Sequence, residues 1–412
     1  MTQHTLIRSD QISDDLATFD AAPQPSAAPI TAWGAVGSMA LTVSVLIASE
    51  FMPVSLLTPI ARDLSMLEGQ AGQVISISGF FAVVTSLFIA RLAAGLDRKT
   101  VLTWFSVVLV FSALVVTFAP TYWILMAGRA LLGIAIGGFW SMSTAIVMRL
   151  LPSDQVPKGL AALNAGNAIA ATISAPLGSF LGELIGWRGA FFLVVPLALV
   201  ALAWQWLTMP DLPAKKEKPT ANVFHLLARR QVALGMTAIL LLFMGQFALF
   251  TYLRPYMESV SGFDVTLLSL VMLLMGLCGI AGTWAISRLL PQWLYALAIG
   301  MPITMALLAA GLVFASSSQL AVTLLLGAWG FVGTAAPVAW GTWLSQVLSD
   351  DAEAGGGLQV AVIQFAITLG AALGGLLFDH VGWWSSYLFA GLLLVGSSLA
   401  AWAARSNREN AK

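Results

Sequence analysis

Leu46-Ile-Ala-Ser-Glu50-Phe-Met-Pro-Val-Ser55-Leu-Leu-Thr-Pro-Ile60 is the stretch on which the reading of this chain turns. It lies in a run apolar enough to cross a bilayer, a run that opens near Trp33, and Glu50 stands well inside it. A charged side chain near the middle of a membrane helix costs about 2.5–3.5 kcal/mol even on the lenient insertion scale. An acid placed there is a functional group by default, and Glu50 reads as a carrier that takes up and releases a proton. The plainer alternative is a protonated or hydrogen-bonded Glu that only ties helices together.

Composition sets the solvent. The chain of 412 residues is 59% hydrophobic and 9% charged, with a mean hydropathy of +0.89. Soluble domains carry roughly 25% charged residues, so the bilayer is the medium in which this chain satisfies its backbone. A net charge of +0 speaks against any general affinity for nucleic acid. The single cysteine, Cys278, excludes an internal disulfide and a cysteine-built metal site. His4, His225 and His380 fall in a tail, a loop and a helix end, so neither a metal nor another cofactor is expected.

A bilayer helix needs about 20 mostly apolar residues. On that measure the chain reads as an all-α membrane protein with twelve transmembrane helices. The first six run roughly over 33–57, 70–93, 100–119, 121–147, 161–186 and 189–208. The second six run roughly over 232–257, 265–289, 293–314, 318–347, 358–379 and 383–404. The expected organisation is a disordered cytoplasmic tail at 1–32, an N-terminal half at 33–208, a cytoplasmic central loop at 209–231, a C-terminal half at 232–404 and a cytoplasmic tail at 405–412. Lys and Arg gather on one side of this layout: Arg8, Arg91, Arg98, Lys99, Arg149, Lys158, Lys215, Lys216, Lys218, Arg229, Arg230, Arg288, Arg405, Arg408 and Lys412 face only Arg62, Arg188 and Arg254. Basic loops stay inside, which puts both termini in the cytoplasm. A faint repeat ends each fifth helix, at Gly186-Trp187 and at Gly382-Trp383. Parallel repeats with a site between them are a transporter plan.

Several spans carry polar or constraining residues. Arg129 sits in the fourth span, and a guanidinium stays charged there. Glu50 is about 25 Å of helix rise from Trp33, and Arg129 about 10 Å from Tyr122 at the opposite side. Across roughly 30 Å of hydrocarbon the two fall at one level, so Arg129 is either coupled to Glu50 or bonded to backbone carbonyls. Asp97 and Arg98, in Gly95-Leu-Asp-Arg-Lys99, either tie helix ends together or form a solvated basic loop. Pro176 removes a backbone donor and bends a helix, while Gly178 with Gly182, and Gly133 with Gly137, form small faces for close helix contact. Asn164, Asn167, Gln246, Gln359 and Gln364 offer amides inside apolar spans, for interhelical bonds or for a ligand. Trp140, Phe250, Trp340 and Trp343 supply flat rings, for packing or for stacking on a base.

These motifs resemble those of the major facilitator superfamily over about 33–404. Gly95-Leu-Asp97-Arg98-Lys99 is similar to a shortened form of its loop signature, and Arg129 with Gly133 and Gly137 to its fourth-helix signature, whose Arg is linked to proton transfer. Ala175-Pro176-Leu177-Gly178 resembles its fifth-helix antiporter signature, with Ala175 and Ser179 where that signature has glycines. Glu50-Phe-Met-Pro, Gly137-Gly-Phe-Trp140-Ser-Met-Ser and Gln359-Val-Ala-Val-Ile-Gln364 resemble more closely the purine ribonucleoside efflux pumps of its drug:proton antiporter branch.

That resemblance implies proton-driven antiport of inosine- or guanosine-type nucleosides and purine-base analogues across a bacterial inner membrane. Glu50 and Arg129 then couple protons. Trp140, Asn164, Asn167, Gln246, Phe250, Trp340, Trp343, Gln359 and Gln364 are the substrate candidates, and Asp97, Arg98, Pro176 and Gly178 the conformational motif. The expected partners are a nucleoside-like molecule, protons and the lipid bilayer, with no nucleic acid, and the chain is expected to act as a monomer. Sugar or multidrug efflux on the same fold is the alternative. An enzyme is not expected, since a lone Glu with no intramembrane His makes a nucleophile–base pair a weak case, and the chain has no Gly-x-x-x-x-Gly-Lys-Ser/Thr phosphate cradle for ATP.

Overall fold

The computed structural model describes residues 32–93, 95–152, 154–213, 223–348 and 352–409. Residues 1–31 of the expected tail and residues 214–222 of the expected central loop lie outside those residues. The regular structure among them is helical: α1 (Trp33–Asp63), α2 (Glu68–Leu92), α3 (Arg98–Thr117), α4 (Tyr122–Leu150), α5 (Val156–Phe192), α6 (Val194–Thr208), α7 (Arg230–Phe250), α8 (Val265–Phe314), α9 (Gln319–Gly333), α10 (Ala336–Val347), α11 (Ala352–His380) and α12 (Trp383–Glu409). Short helical turns at Val223–Leu226, Leu253–Pro255 and Tyr256–Val260 flank α7.

Among the described residues, ten stretches are long and apolar enough to cross a membrane. Two of them are double-length, Lys158–Thr208 with 51 residues and Val265–Phe314 with 50. At 1.5 Å per residue an unbroken helix of either length would extend about 75 Å, far more than a hydrocarbon layer of about 30 Å. Each is also broken. Gly186 has φ 75° and ψ 164°, a backbone conformation that glycine enters without steric cost. Trp293 leaves the helical region with φ −121° and ψ 21°. The helix runs through Pro176 with helical backbone, so Gly186, and not Pro176, interrupts α5.

Several boundaries differ from the sequence reading: the first helix runs on to Asp63 rather than 57, α7 stops at Phe250 rather than 257, and two others matter for the fold. The span expected at 318–347 is divided at Thr334 and Ala335 into α9 and α10. Pro337 stands at the start of α10, where its missing N–H leaves no helical bond unmade. The last helix continues to Glu409, so residues 405–409 of the expected tail are helical. Hydropathy falls at that point, but a helix that has left the bilayer needs no apolar residues to keep its own hydrogen bonds.

Packing sorts the helices into two bundles. In the first, α1 lies on α5, and α4 lies on α2 and α3. In the second, α7 lies on α11 and α12, and α8 on α9 and α12. The bundles meet where α2 packs on α11 and α5 on α8. Small residues permit the tight crossings: a Cβ on Gly133 or Gly137 would strike the α2 backbone at Ser78 or Ala82, and one on Gly178 or Gly182 would strike Ser55 or Leu56 of α1.

Both Trp33 and the close of α12 lie at one end of the molecule, here the near end; the α1–α2, α7–α8 and α11–α12 turns lie at the far end. Hydrogen bonds between the bundles gather at the far end. Gly69 N donates to Asp379 Oδ1 at 2.8 Å, and Gln73 Nε2 to the Ala372 carbonyl at 3.4 Å. Arg254 donates to the Ser55 carbonyl and, at 3.5 Å, to Ser179 Oγ. The far end is thereby latched shut.

Candidate functional site

Glu50 lies on α1 and is 2% exposed. Its carboxyl faces the second bundle rather than lipid, with the Gln364 amide of α11 as its hydrogen-bonding neighbour. Glu50 Oε1 and Gln364 Oε1 are both buried without a partner. The carboxyl therefore sits on the seam between the bundles, where rocking of one against the other changes its surroundings.

Arg129, on α4, is 1% exposed and satisfied by neutral groups. Nε donates to the Val74 carbonyl at 2.9 Å and Nη1 to the Ser49 carbonyl at 2.6 Å. Nη2 donates to the Glu50 main-chain carbonyl at 3.3 Å and to Ser78 Oγ at 3.2 Å. The rigid guanidinium fork thus fastens α4 to α1 and α2. The equal depth expected for Arg129 and Glu50 matches this contact, but Arg129 reaches Glu50 through its backbone and not through its carboxyl.

An aromatic cluster follows directly. The Phe51 ring stacks on Phe247 with centroids 5.8 Å apart and meets Phe250 edge-on at 6.3 Å. Phe247 and Phe250 meet edge-on at 6.0 Å. The cluster joins α1 to α7, and Phe51 and Phe250 are only half-buried. Phe250 was among the sequence candidates; Phe51 and Phe247 were not, although Phe51 is the residue next to Glu50.

The remaining candidates spread more widely. Gln246, next to Phe247, is half-buried, and its Oε1 has no partner. Gln359 on α11 and Trp140 on α4 are half-buried. Asn164 is exposed and bonds the Leu160 carbonyl of its own helix at 3.0 Å, and Asn167 is half-buried. Helical spacing puts Asn164 on the face of α5 that carries Ala168 and Thr172. Those two line a cleft of about 510 Å³ with Thr283, Trp284, Ser287, Arg288 and Thr334.

Trp340 and Trp343 depart from the expected role. They are 1% and 0% exposed, pack edge-on at 5.4 Å, and the Trp343 ring fills the space beside Gly235 of α7. Rings so enclosed offer no free face to a ligand in this conformation. At the near end Asp97 caps α3, accepting from Lys99 N at 2.8 Å and Thr100 N at 3.2 Å. Arg98 Nη1 donates to the Ala93 carbonyl at 2.7 Å, and its own N–H to the Leu212 carbonyl at 2.9 Å. This loop ties helix ends together rather than standing free in solvent.

The sequence reading placed Arg254 in an exterior segment. The structure buries it to 3% exposure, paired with Glu258 at 2.7 Å. Beside it opens a pocket of about 580 Å³ lined by Arg62, Glu183, Glu258, Phe263 and Asp264.

Two bundles of membrane-crossing helices that meet over a buried carboxyl group are the plan of a membrane transporter. The profile of the Major Facilitator Superfamily matches residues 39–352, and the chain belongs to that family. It is 50% identical over 379 residues to the "Transcription regulatory protein OpdE" of Pseudomonas aeruginosa, covering 91% of this chain and 94% of that protein. It is 42% identical over 367 residues to the "Purine ribonucleoside efflux pump NepI" of Escherichia coli strain K12, covering 89% and 93%. Among solved structures, an inward-facing, occupied bacterial homologue of the human lysosomal transporter Spinster superposes with a TM-score of 0.72 at 13% identity, covering 90% of this chain and 96% of that one. The human organic anion transporter MFSD10 superposes with a TM-score of 0.65 at 17% identity, covering 92% and 100%.

Proposed function

We propose that this transporter exports purine ribonucleosides and purine-base analogues by antiport with protons. The observation that carries the reading is the 42% identity, through both bundles, to a purine ribonucleoside efflux pump. Glu50 at the seam supports the proton half of it. In this mechanism the double-length stretches each fold back at their break, which gives twelve crossings in two halves of six, at 33–208 and 232–404. The near end is cytoplasmic and the membrane is the bacterial inner membrane. Ionised Glu50 accepts hydrogen bonds and favours cargo from the cytoplasm. After the bundles rock, a proton from outside neutralises Glu50 and cargo leaves. Arg129 holds α1 so that the carboxyl keeps its place on the seam.

The test is efflux of radiolabelled inosine from energised cells, with and without a protonophore. Expression of the chain should speed loss of label, and the protonophore should abolish the gain. Equal loss from expressing and non-expressing cells overturns the reading.

The 50% identity to a relative named for transcription regulation supports a second one, in which movement of a small effector by this chain alters gene expression. Transcript changes on deletion that a transport-dead Glu50→Gln chain fails to restore would support it. Full restoration by that variant would separate regulation from transport.

A further inference from the structure

We infer that the cleft between α5 and α8 seats an anionic phospholipid, with its phosphate on Arg288 and an acyl chain against the apolar wall. This goes beyond the cargo reading and does not depend on it. The cleft is a wedge. A Cβ on Gly276 of α8 would strike Thr172 of α5, so the two helices touch at that point. On the near-end side of the crossing, Ala168 on α5 and Ile280, Thr283, Trp284 and Arg288 on α8 line the space of about 510 Å³.

The wedge opens sideways to lipid. On α5, Ile169, Ile173, Leu177, Phe180 and Leu184 recur every three or four residues and are exposed, which makes them one lipid-facing stripe. On α8, Leu270, Leu273, Leu277, Ile280 and Trp284 form a second such stripe. Ile280 and Trp284 belong to that stripe and to the cleft wall at once.

The charge in the cleft is of one sign. Arg288 Cζ lies 3.6 Å from the Trp284 ring centroid, a cation–π contact that holds the guanidinium at the mouth. Arg288 stands one turn and a half before the break at Trp293, about 8 Å of helix rise, which is headgroup depth. No carboxylate among the described residues pairs with it. The described residues that line the cleft include this cation and no acid, and Thr283 Oγ1 in the wall has no hydrogen-bond partner. A guanidinium fork matches a phosphate, and basic pockets between membrane helices bind anionic headgroups. A choline headgroup would add a cation for which the lining has no counter-ion. A free phosphate would leave the apolar wall uncovered.

The test titrates the full chain, in neutral detergent, with short-chain phosphatidylglycerol, short-chain phosphatidylcholine and inorganic phosphate, and follows binding by calorimetry. Phosphatidylglycerol should bind several-fold more tightly than phosphatidylcholine, and inorganic phosphate should not bind measurably. Arg288→Gln should weaken phosphatidylglycerol binding about tenfold or more, and Arg288→Lys, which keeps the charge, should lose less. Ala168→Trp, which fills the wedge and leaves Arg288 in place, should abolish lipid binding. Equal binding of the two lipids by the wild type overturns the inference, and that comparison needs no variant to fold. Phosphate binding as tight as that of phosphatidylglycerol makes this a free-anion site and overturns it too. So does wild-type affinity in Ala168→Trp, which would place the headgroup on the outer surface, or displacement of the lipid by inosine, which would give the cleft to cargo.

Discussion

Glu50 was legible because a carboxylate in an apolar run has no structural default, and the structure places it on the seam and not against lipid. Arg129 was legible for the same reason, but its partners were not, since sequence depth cannot tell a carboxylate from the carbonyl of the same residue. Phe51 was hidden because phenylalanine in a membrane helix is ordinary on any face. Two predictions belong at this scale. Glu50→Gln should leave the fold intact, because the amide keeps the shape and neutral form, and should abolish proton-driven efflux; wild-type efflux rates in that variant would end the carrier role. Arg129→Ala strands the Ser49 carbonyl, whose helical donor is missing at Pro53, and removes the added bonds to the Glu50 and Val74 carbonyls. An unsatisfied buried acceptor costs about 1–3 kcal/mol. Thermal unfolding in detergent should show a clear loss of stability together with slower turnover, whereas unchanged stability would mean that this hydrogen-bonded fork is dispensable.

Among the elements, the spans and the turns between them were readable wherever glycine, proline or basic residues interrupt a long apolar run. The breaks at Gly186 and Trp293 fall at the ends of expected spans, Gly186 closing 161–186 and Trp293 opening 293–314. The break at Thr334 and Ala335 was not readable, because the apolar run from Gln319 onward hides it and Pro337 is compatible with a continuing helix as well as with a new one. The small faces of α4 and α5 were readable, and the structure shows what each accommodates. A Cβ on Gly137 would collide with the Ala82 backbone, which cannot turn aside as a side chain can. Gly137→Ala should therefore push α4 from α2 and lower the unfolding temperature. Gly300 of α8 has nothing within 4 Å of a Cβ. Gly300→Ala should be neutral or stabilising, by up to about 1 kcal/mol from helix propensity. Equal unfolding temperatures for the two alanine variants would show that close approach at Gly137 is not what the glycine serves.

For the whole molecule, sequence gave two bundles and a preferred side for the basic loops but not the conformational state, which depends on contacts between residues hundreds of positions apart. The far end is closed, and Arg254 is central to that closure. Its guanidinium is nearly enclosed, paired with Glu258 from its own segment and joined to the Ser55 carbonyl on α1 and Ser179 on α5. A hydrogen bond from a charged group contributes about 1.5–3 kcal/mol, enough to move an equilibrium between far-closed and far-open forms by roughly tenfold or more. Arg254→Ala should shift the population toward the far-open form. Thr58, 4% exposed on the α1 segment beneath this latch, offers the probe. A cysteine introduced there should react slowly with a membrane-impermeant maleimide added at the far end, and several-fold faster once Arg254→Ala is added. Glu258→Gln should act more weakly, since it removes the charge partner while the bonds to Ser55 and Ser179 remain. Labelling that is equally slow in both backgrounds would mean that the Asp379–Gly69 and Gln73–Ala372 contacts close the far end without Arg254.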